Sequence, residues 1–231
     1  NLLRVANSAA FGAPQKIRSL RDVVVRLGSR RVGRLVAAAV AGPALQVAVR
    51  GYDLPPHALW EHSVATALCA ENLAESLGLV APDYLFTAAL LIDVGKIVMG
   101  SFLEVDAEPI KRRAYEGRTS FEEAERAELG IDHPEVGASL LQRWGLPECV
   151  TKTVRWSHDP EPAGGDIVTD LTHVANILCM TSGIGAGVDG LNYRPSPGAV
   201  ARLGVKTQLS EKAILKTLGA LADVRDLFLG R

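Results

Sequence analysis

The sequence has 231 residues, of which 48% are hydrophobic and 22% are charged, and its formal net charge is −1. This composition is typical of a chain with a packed core and excludes an intrinsically disordered protein. The three cysteines, Cys69, Cys149 and Cys179, form no Cys-x-x-Cys pair, which argues against a zinc ribbon and against a disulfide scaffold. We expect each cysteine to pack as a small apolar side chain in a protein of the reducing cytoplasm.

The first residues of the chain, NLLRVANSAAFG, already have the pattern of a helix interior. They include no starting methionine and no charged-then-apolar leader that ends in a small-residue cleavage site. We therefore expect a helical segment of the parent protein to precede them. The longest apolar stretch, residues 35–49, is too short to cross a bilayer, so a kinked buried helix is the better interpretation.

The pattern of apolar residues predicts helices along almost the whole chain, and no segment alternates convincingly as a strand does. A short helix over residues 19–28 is followed by a second over 29–42. The next covers residues 55–78, because its two prolines suit a first turn and its last residue is a glycine. A further helix is predicted from Pro82 to about Met99.

Two capping patterns mark the starts of later helices. Ser120-Phe-Glu-Glu123 is a capping box, and in Asp132-His-Pro-Glu135 an aspartate is the cap. The helix that begins after Asp132 should end near Trp144-Gly145. Further helices are predicted over residues 146–158, 166–182 and 210–229. The sum is an all-α fold of roughly nine or ten helices with short loops.

Charge is distributed unevenly along the chain. Residues 1–50 contain nine Arg or Lys and one acid, whereas residues 104–135 contain ten acids and five bases. Within the basic part, Arg30, Arg31 and Arg34 fall within about one helical turn. Because no aromatic residues accompany them, nucleic acid is a poor fit, and we expect a solvated face or a docking surface for an acidic protein partner.

The best internal seam is Gly51 to Pro56. It divides the chain into an N-terminal helical part (1–50) and a helical core (51–231). The tryptophans Trp60, Trp144 and Trp156 are expected to pack in that core. The glycine-rich segment 181–190 follows a helix rather than a strand, so we expect a flexible loop and no dinucleotide site.

Polar residues interrupt apolar helix faces at separate points along the chain. Each lies among residues that should be buried, and a buried polar side chain needs a partner. A single histidine in such a place is usually a satisfied core residue. Several together are explained most simply if they meet in one polar pocket inside the helical bundle. These residues are His62, Asp93, His133, His158 and Asn176.

The order of these residues resembles the HD superfamily of metal-dependent phosphohydrolases, and above all its HDOD branch, a regulatory domain of bacterial signalling proteins. The resemblance includes Asp93-x-Gly95-Lys96, His133-Pro134-Glu135-x-Gly137 and His158-x-Pro160. The stretches LLRVANSAAFG, IRSLRDVVVRLG and GASLLQRWGLPE resemble further parts of the same branch. The resemblance implies an HD-like multi-helix bundle with an N-terminal helical subdomain.

The resemblance also implies that the catalytic site is degenerate. Active HD enzymes hold one or two metal ions with a histidine, a His-Asp pair and a later aspartate, and the ions polarise a phosphoryl oxygen and activate water. His62 matches the first histidine and Asp93 the aspartate of the pair. Ile92, however, replaces the histidine of the pair with a hydrocarbon, and Asn176 replaces the later aspartate.

We therefore expect no cofactor. With Asp93 as the one matching carboxylate, the pocket has too little negative charge for two metal ions. A single zinc-like ion is chemically permissible, with His62, Asp93, His133 and His158 as the residual candidates. A metal-free pocket, in which Asp93 pairs with Lys96 three residues later on a helix, is the simpler expectation.

The function that follows is a non-catalytic output or scaffold module of bacterial signalling, which docks signalling proteins or domains of its own pathway. The resemblance implies a parent protein with receiver, diguanylate cyclase or phosphodiesterase domains, as in cyclic di-GMP signalling. Two alternatives stay open: a metal-dependent phosphohydrolase on a nucleotide or cyclic dinucleotide, and a nucleotide-binding sensor without turnover. Lys96 would be the anion contact of such a ligand. No membrane association is expected.

Overall fold

The computed structural model describes residues 41–103, 107–185 and 192–229, and in addition Gly28, Gly33, Ala37 and Gly187, with side chains as far as Asp226. These residues form helices and no strand, which confirms the predicted all-α fold. Two 3₁₀ turns, Arg50–Tyr52 and Glu161–Ala163, join the helices. The α-helices are α1 (Ala58–Ser76), α2 (Leu85–Leu90), α3 (Val94–Leu103), α4 (Glu108–Gly117), α5 (Phe121–Leu129), α6 (His133–Arg143), α7 (Glu148–Arg155), α8 (Ile167–Thr181), α9 (Pro197–Leu203) and α10 (Thr207–Leu229).

Helix α1 is the central element of the core. Helices α2, α8 and α10 all pack against it, and its side chains are buried on most sides rather than along one stripe. A helix that is apolar nearly all round belongs in the interior of a fold. Leu59, Trp60 and Leu73 of α1 are fully buried, and the same helix carries His62 into the interior.

The prediction of a single helix from Pro82 to about Met99 is wrong in one respect, because the segment is divided into the two helices α2 and α3. The amide of Leu91 donates to the carbonyl of Ala88 at 3.1 Å, and the amide of Val94 donates to the carbonyl of Leu91 at 3.1 Å. These bonds have the shorter spacing of a 3₁₀ turn. The turn ends with Asp93, whose side chain is completely buried.

The segment Leu85–Leu103 has the length and the mean hydropathy, 1.7, of a helix that could cross a membrane, although 67% of its apolar window is buried inside the fold. The turn between α2 and α3 interrupts it, and α2 packs against α1. Its apolar character is accounted for by its place in the core.

Both predicted caps are present, and together they position two pocket residues. The amide of Ser120 donates to Oε2 of Glu123 at 3.0 Å, and the Ser120 hydroxyl accepts from the Glu123 amide. Asp132 Oδ1 accepts from the amide of Glu135 at 2.9 Å. The first cap starts α5, which carries Glu125, and the second starts α6, whose first residue is His133.

Two predictions about single side chains are wrong. Trp144 is 61% exposed, because α6 ends at Arg143 and Trp144 follows it at the surface. Cys149 is also exposed, since it lies in the first turn of α7 on the face that points to solvent. Trp60, Cys69 and Cys179 are buried as expected.

Some predictions lie outside the described residues. These are almost all of the helices over residues 19–28 and 29–42, the arginines Arg30, Arg31 and Arg34, and part of the glycine-rich segment 181–190. The division of the chain into 1–50 and 51–231 stays a prediction.

Two glycines allow α3 and α6 to approach each other closely. A Cβ atom on Gly95 would lie 1.9 Å from the carbonyl oxygen of His133 and 2.8 Å from the amide nitrogen of Gly137. Both obstacles are backbone atoms, so a side-chain rotation cannot relieve the overlap. The contact fixes the distance between the turn that carries Asp93 and the first residue of α6, His133.

We expect Gly95→Ala to lower the free energy of unfolding by about 3 kcal/mol, because α3 and α6 must move apart. Gly33→Ala is the matched control, since Gly33 is an exposed helical residue and a Cβ atom added there would meet no atom outside its own helix within 4 Å. That change should stabilise the protein by up to about 1 kcal/mol through helix propensity. Urea unfolding of both variants measures the difference, and equal effects at the two sites would refute the close contact as the cause.

Candidate functional site

The polar residues singled out in the sequence meet inside the bundle. They come from α1, the turn before α3, α3 itself, α6, the segment after α7, and α8, and a seventh residue comes from α5. All of their side chains are buried. We call this group the polar pocket: His62, Asp93, Lys96, Glu125, His133, His158 and Asn176.

Three donor atoms converge at the centre of the polar pocket. Oδ1 of Asp93 lies 3.5 Å from Nε2 of His133 and 3.6 Å from Nε2 of His158. The two Nε2 atoms are 3.1 Å apart. Ligands of one tetrahedral ion with bonds of about 2.0–2.2 Å are separated by about 3.3–3.6 Å. By donor type and spacing, these three residues fit a single metal ion.

Lys96 supplies a positive charge to the same carboxylate. Its Nζ lies 3.0 Å from Oδ1 of Asp93, the oxygen that also faces the two histidines. Burial alone would raise the pKa of Asp93, but the charge of Lys96 and the contacts with His133 and His158 outweigh it and hold that pKa well below its usual range. Asp93 is therefore an ionised carboxylate whose charge is balanced by groups of the protein itself.

Glu125 is the pocket residue that the sequence reasoning missed. Its Oε2 accepts from the backbone amide of His133 and from Nδ1–H of the same residue, both at 2.8 Å. Its Oε1 accepts from the hydroxyl of Tyr52. The sequence could have indicated that Glu125 is buried, because it follows the apolar residue Phe121 by one helical turn and so lies on the same face of α5. A carboxylate in this position fixes the orientation of the imidazole ring.

The charge state of His133 follows from its neighbours. Burial would lower the pKa of His133, but the charge and hydrogen bond of Glu125 and the contact with Asp93 outweigh it and raise the pKa to about 10. The protonated ring donates from Nδ1 to Glu125 and from Nε2 towards His158. Two carboxylates, Asp93 and Glu125, are thus balanced by two cations, Lys96 and His133.

His62 stands apart from the three converging donors. Its Nδ1 donates to the carbonyl oxygen of Ile184 at 2.8 Å, and its Nε2 lies 2.7 Å from Oδ1 of Asn176. The distance from that Nε2 to Oδ2 of Asp93 is 3.6 Å. Both ring nitrogens are therefore engaged by neighbouring protein groups.

Ile92 fills the position where the resemblance implies a histidine. Its side chain is completely buried, yet it belongs to neither of the apolar clusters formed by the described residues. It directly precedes Asp93 in the turn between α2 and α3. A hydrocarbon here offers no donor atom to a metal ion.

Two described residues border the polar pocket. Ile184 is buried after the end of α8, and its carbonyl holds His62. The ring of Tyr193 packs 5.3 Å from the ring of His158. A cavity of about 440 Å³ lies elsewhere, between α1, α10 and the loop before α2, and no residue of the polar pocket lines it.

A further histidine, His173 of α8, has a structural role beside the polar pocket. Its Nδ1 donates to the carbonyl oxygen of Ser157 at 2.8 Å, and its Nε2 accepts from the amide of Ser196 at 2.8 Å. Burial, the largest cause, lowers the pKa of His173 to about 4. The neutral ring ties the segment that carries His158 to the start of α9.

This low pKa predicts a loss of stability in acid. The unfolded chain binds a proton at His173 with a pKa near 6.5, so the contribution is complete above that pH and falls as the pH drops towards about 4. The loss should reach about 3 kcal/mol. Urea unfolding at intervals of pH measures it, and His173→Gln should lose clearly less stability over the same interval. An identical acid profile in the two proteins would contradict the assignment.

Comparisons with known proteins bear on the family and on the fold. The family model described as HDOD domain matches residues 1–160. A crystal structure of an HDOD domain protein of unknown function from Geobacter sulfurreducens has a TM-score of 0.72 and 25% identity, and the match covers 99% of this chain and 81% of that one. A protein from Shewanella amazonensis SB2B, whose name gives phosphohydrolase as a proposed activity, has a TM-score of 0.69 and 24% identity, with 98% and 80% covered.

A curated relative is much longer than the region of it that this chain matches. An uncharacterized protein of Treponema pallidum (strain Nichols) is 30% identical over 162 residues, which are 69% of this chain. The matched region is 30% of the length of that relative.

Proposed function

This chain belongs to the HDOD domain family, and from that premise we propose that it is a non-catalytic output or scaffold module of a bacterial signalling protein, with a vestigial pocket inside the domain. The module acts by docking other signalling proteins or domains. A structural neighbour from Marinobacter aquaeolei VT8 is named as a candidate signal transduction protein, with a TM-score of 0.70 and 19% identity over 98% of this chain and 50% of that one. We place the module in the cytoplasm and among proteins of cyclic di-GMP signalling.

The observation that carries the proposal is the small donor set at Asp93. Ile92 provides no ligand, and both nitrogens of His62 are engaged by Ile184 and Asn176. The three remaining donors include one carboxylate. Phosphoryl transfer by two metal ions needs a site that holds both ions and neutralises much of their charge. The residues present do not fit such a pair.

A single ion would be held by Asp93, His133 and His158, and it would act as a Lewis acid on a bound oxygen. The surroundings do not favour turnover on it. Lys96 pairs with the carboxylate of Asp93. The side chains of the polar pocket are buried, so the residues that the structure describes leave no opening through which a phosphodiester could reach Asp93. We therefore propose that the polar pocket serves the fold of the module.

The test is hydrolysis of bis-p-nitrophenyl phosphate and of cyclic di-GMP with added Mn²⁺, using the purified chain and Asp93→Asn. We expect equal background rates in both proteins. The double variant Ile92→His, Asn176→Asp is the informative comparison, since it restores the donors that the HD resemblance implies. Hydrolysis by the unmodified chain that disappears in Asp93→Asn would overturn the proposal.

For the docking partner, we propose a protein with an acidic surface that binds Arg30, Arg31 and Arg34. The excess of basic residues in the first fifty positions supports this choice. Charge reversal at Arg30 and Arg34 should weaken binding to a signalling domain of the parent protein, whereas Asp93→Asn should leave it unchanged. The opposite pattern would favour a ligand-controlled polar pocket.

The phosphohydrolase remains the second candidate, because three donor atoms with metal-like spacing favour it. A nucleotide sensor without turnover is the third, with Lys96 as the anion contact. Saturable binding of cyclic di-GMP that is lost in Lys96→Ala, without any product, would select the sensor.

A further inference from the structure

Helix α10 has two faces, and one of them is not covered by any described residue. Ala213, Thr217 and Leu221 are buried on the side that packs against α1. On the opposite side, Leu215 is 69% exposed and Leu218 is 44% exposed. A helix that packs once against a domain is expected to be polar on its outer face, so this second apolar face needs an explanation.

The outer face is a continuous stripe with a defined order of sizes. Leu215, Leu218, Gly219 and Ala222 are all exposed and follow the spacing i, i+3, i+4 and i+7, which places them side by side on a helix. Two large residues therefore precede two small ones. We call these four residues the outer stripe.

We propose that the outer stripe binds the same stripe of a second copy of this chain, with the two α10 helices antiparallel. In the antiparallel register centred between Leu218 and Gly219, Leu215 packs over Ala222 of the second copy. Leu218 packs over Gly219 of the second copy. Large residues thus meet small ones along the whole contact, which lets two helices approach closely.

One edge of the outer stripe carries charges that agree with this register. Lys212 and Asp226 both lie on that edge and are exposed. In an antiparallel pair each edge faces the same edge of the second copy, so Lys212 comes next to Asp226 of the second copy, and the two-fold symmetry repeats the contact. On the other edge, Arg225 pairs within its own chain with Glu61 of α1, so the charge complementarity comes from Lys212 and Asp226.

The interface has a limited size, because one helix face contributes most of it. Interfaces of this kind are at the low end of specific association, so we expect a dissociation constant on the order of 10 μM. The dimer is independent of the polar pocket, since no residue of the pocket lies in α10. A signalling module that pairs weakly in this way would respond to the local concentration of its parent protein.

Sedimentation analysis of the purified chain, from about 1 to about 300 μM, tests the proposal across the expected constant. We expect a monomer–dimer equilibrium that Leu215→Asp weakens at least about tenfold. Val80→Asp is the matched control, because Val80 is 95% exposed in the loop before α2, and it should leave the equilibrium unchanged. Circular dichroism confirms that both variants keep their helices.

A charge exchange tests the orientation. Lys212→Glu should weaken the dimer, and the double variant Lys212→Glu, Asp226→Lys should restore it, because the exchanged residues meet across the antiparallel pair. A chain that stays monomeric at every concentration, or a Leu215→Asp variant that dimerises as well as the unmodified chain, would overturn the proposal. An equal effect of Val80→Asp, or no recovery in the charge-exchanged variant, would overturn it as well.

Discussion

Replacing Lys96 with methionine is expected to lower the free energy of unfolding by about 3–5 kcal/mol. Lys96 lies 3.0 Å from Oδ1 of Asp93, and both side chains are buried. Methionine keeps most of the volume and removes the charge, so Asp93 would remain as a buried carboxylate without its nearest cation. Urea unfolding at neutral pH measures the loss.

Two further variants separate this charge effect from a packing effect. Lys216→Met is the matched control, because Lys216 pairs with Glu75 at the surface and should change stability by less than about 1 kcal/mol. Asp93→Asn combined with Lys96→Met should be more stable than the sum of the two single losses predicts, by at least about 1 kcal/mol. Strict additivity would show that the two groups do not interact.

Replacing Glu125 with glutamine is expected to cost about 2–4 kcal/mol, since the charge that faces protonated His133 is removed while the shape is kept. The effect has a direction in pH. The pKa of His133 is raised to about 10, so its stabilising contribution is complete below its unfolded pKa, about 6.5, and is lost as the pH rises towards 10. The difference between the unmodified chain and Glu125→Gln should shrink over that interval.

Glu128→Gln is the control on the same helix. Glu128 is exposed and pairs with Arg113, so its loss should cost less than about 1 kcal/mol and show little dependence on pH between 6.5 and 10. If Glu125→Gln and Glu128→Gln gave the same small change, Glu125 would have no role in holding His133.

The helices and their caps could be read from the sequence because their causes are local. Ser120 and Asp132 bind amides three residues ahead, and this information lies within four letters of sequence. The turn that ends at Asp93 could not be read in this way, because the apolar period continues through it. Directly after the turn, Gly95 lies close to the backbone of His133, and a tertiary contact of this kind leaves no local pattern in the sequence.

The polar pocket was predictable in its membership but not in its connections. The sequence marks His62, Asp93 and His133 as polar residues on apolar faces, yet it does not state which atoms converge. Asn176 and the carbonyl of Ile184 hold His62 away from the converging donors, and these partners lie more than a hundred residues later in the chain. Glu125 was missed because a glutamate in an acidic helix is ordinarily expected at the surface.

The most direct test of the account is the metal content of the chain. Protein is purified without chelator and without an affinity-tag metal, and elemental analysis is made on the unmodified chain and on Asp93→Asn. We predict far less than one ion per chain in both samples, because Lys96 and His133 already balance the charge of Asp93 and Glu125. Close to one ion per chain in the unmodified protein, lost in Asp93→Asn, would contradict the account and make the phosphohydrolase the leading candidate.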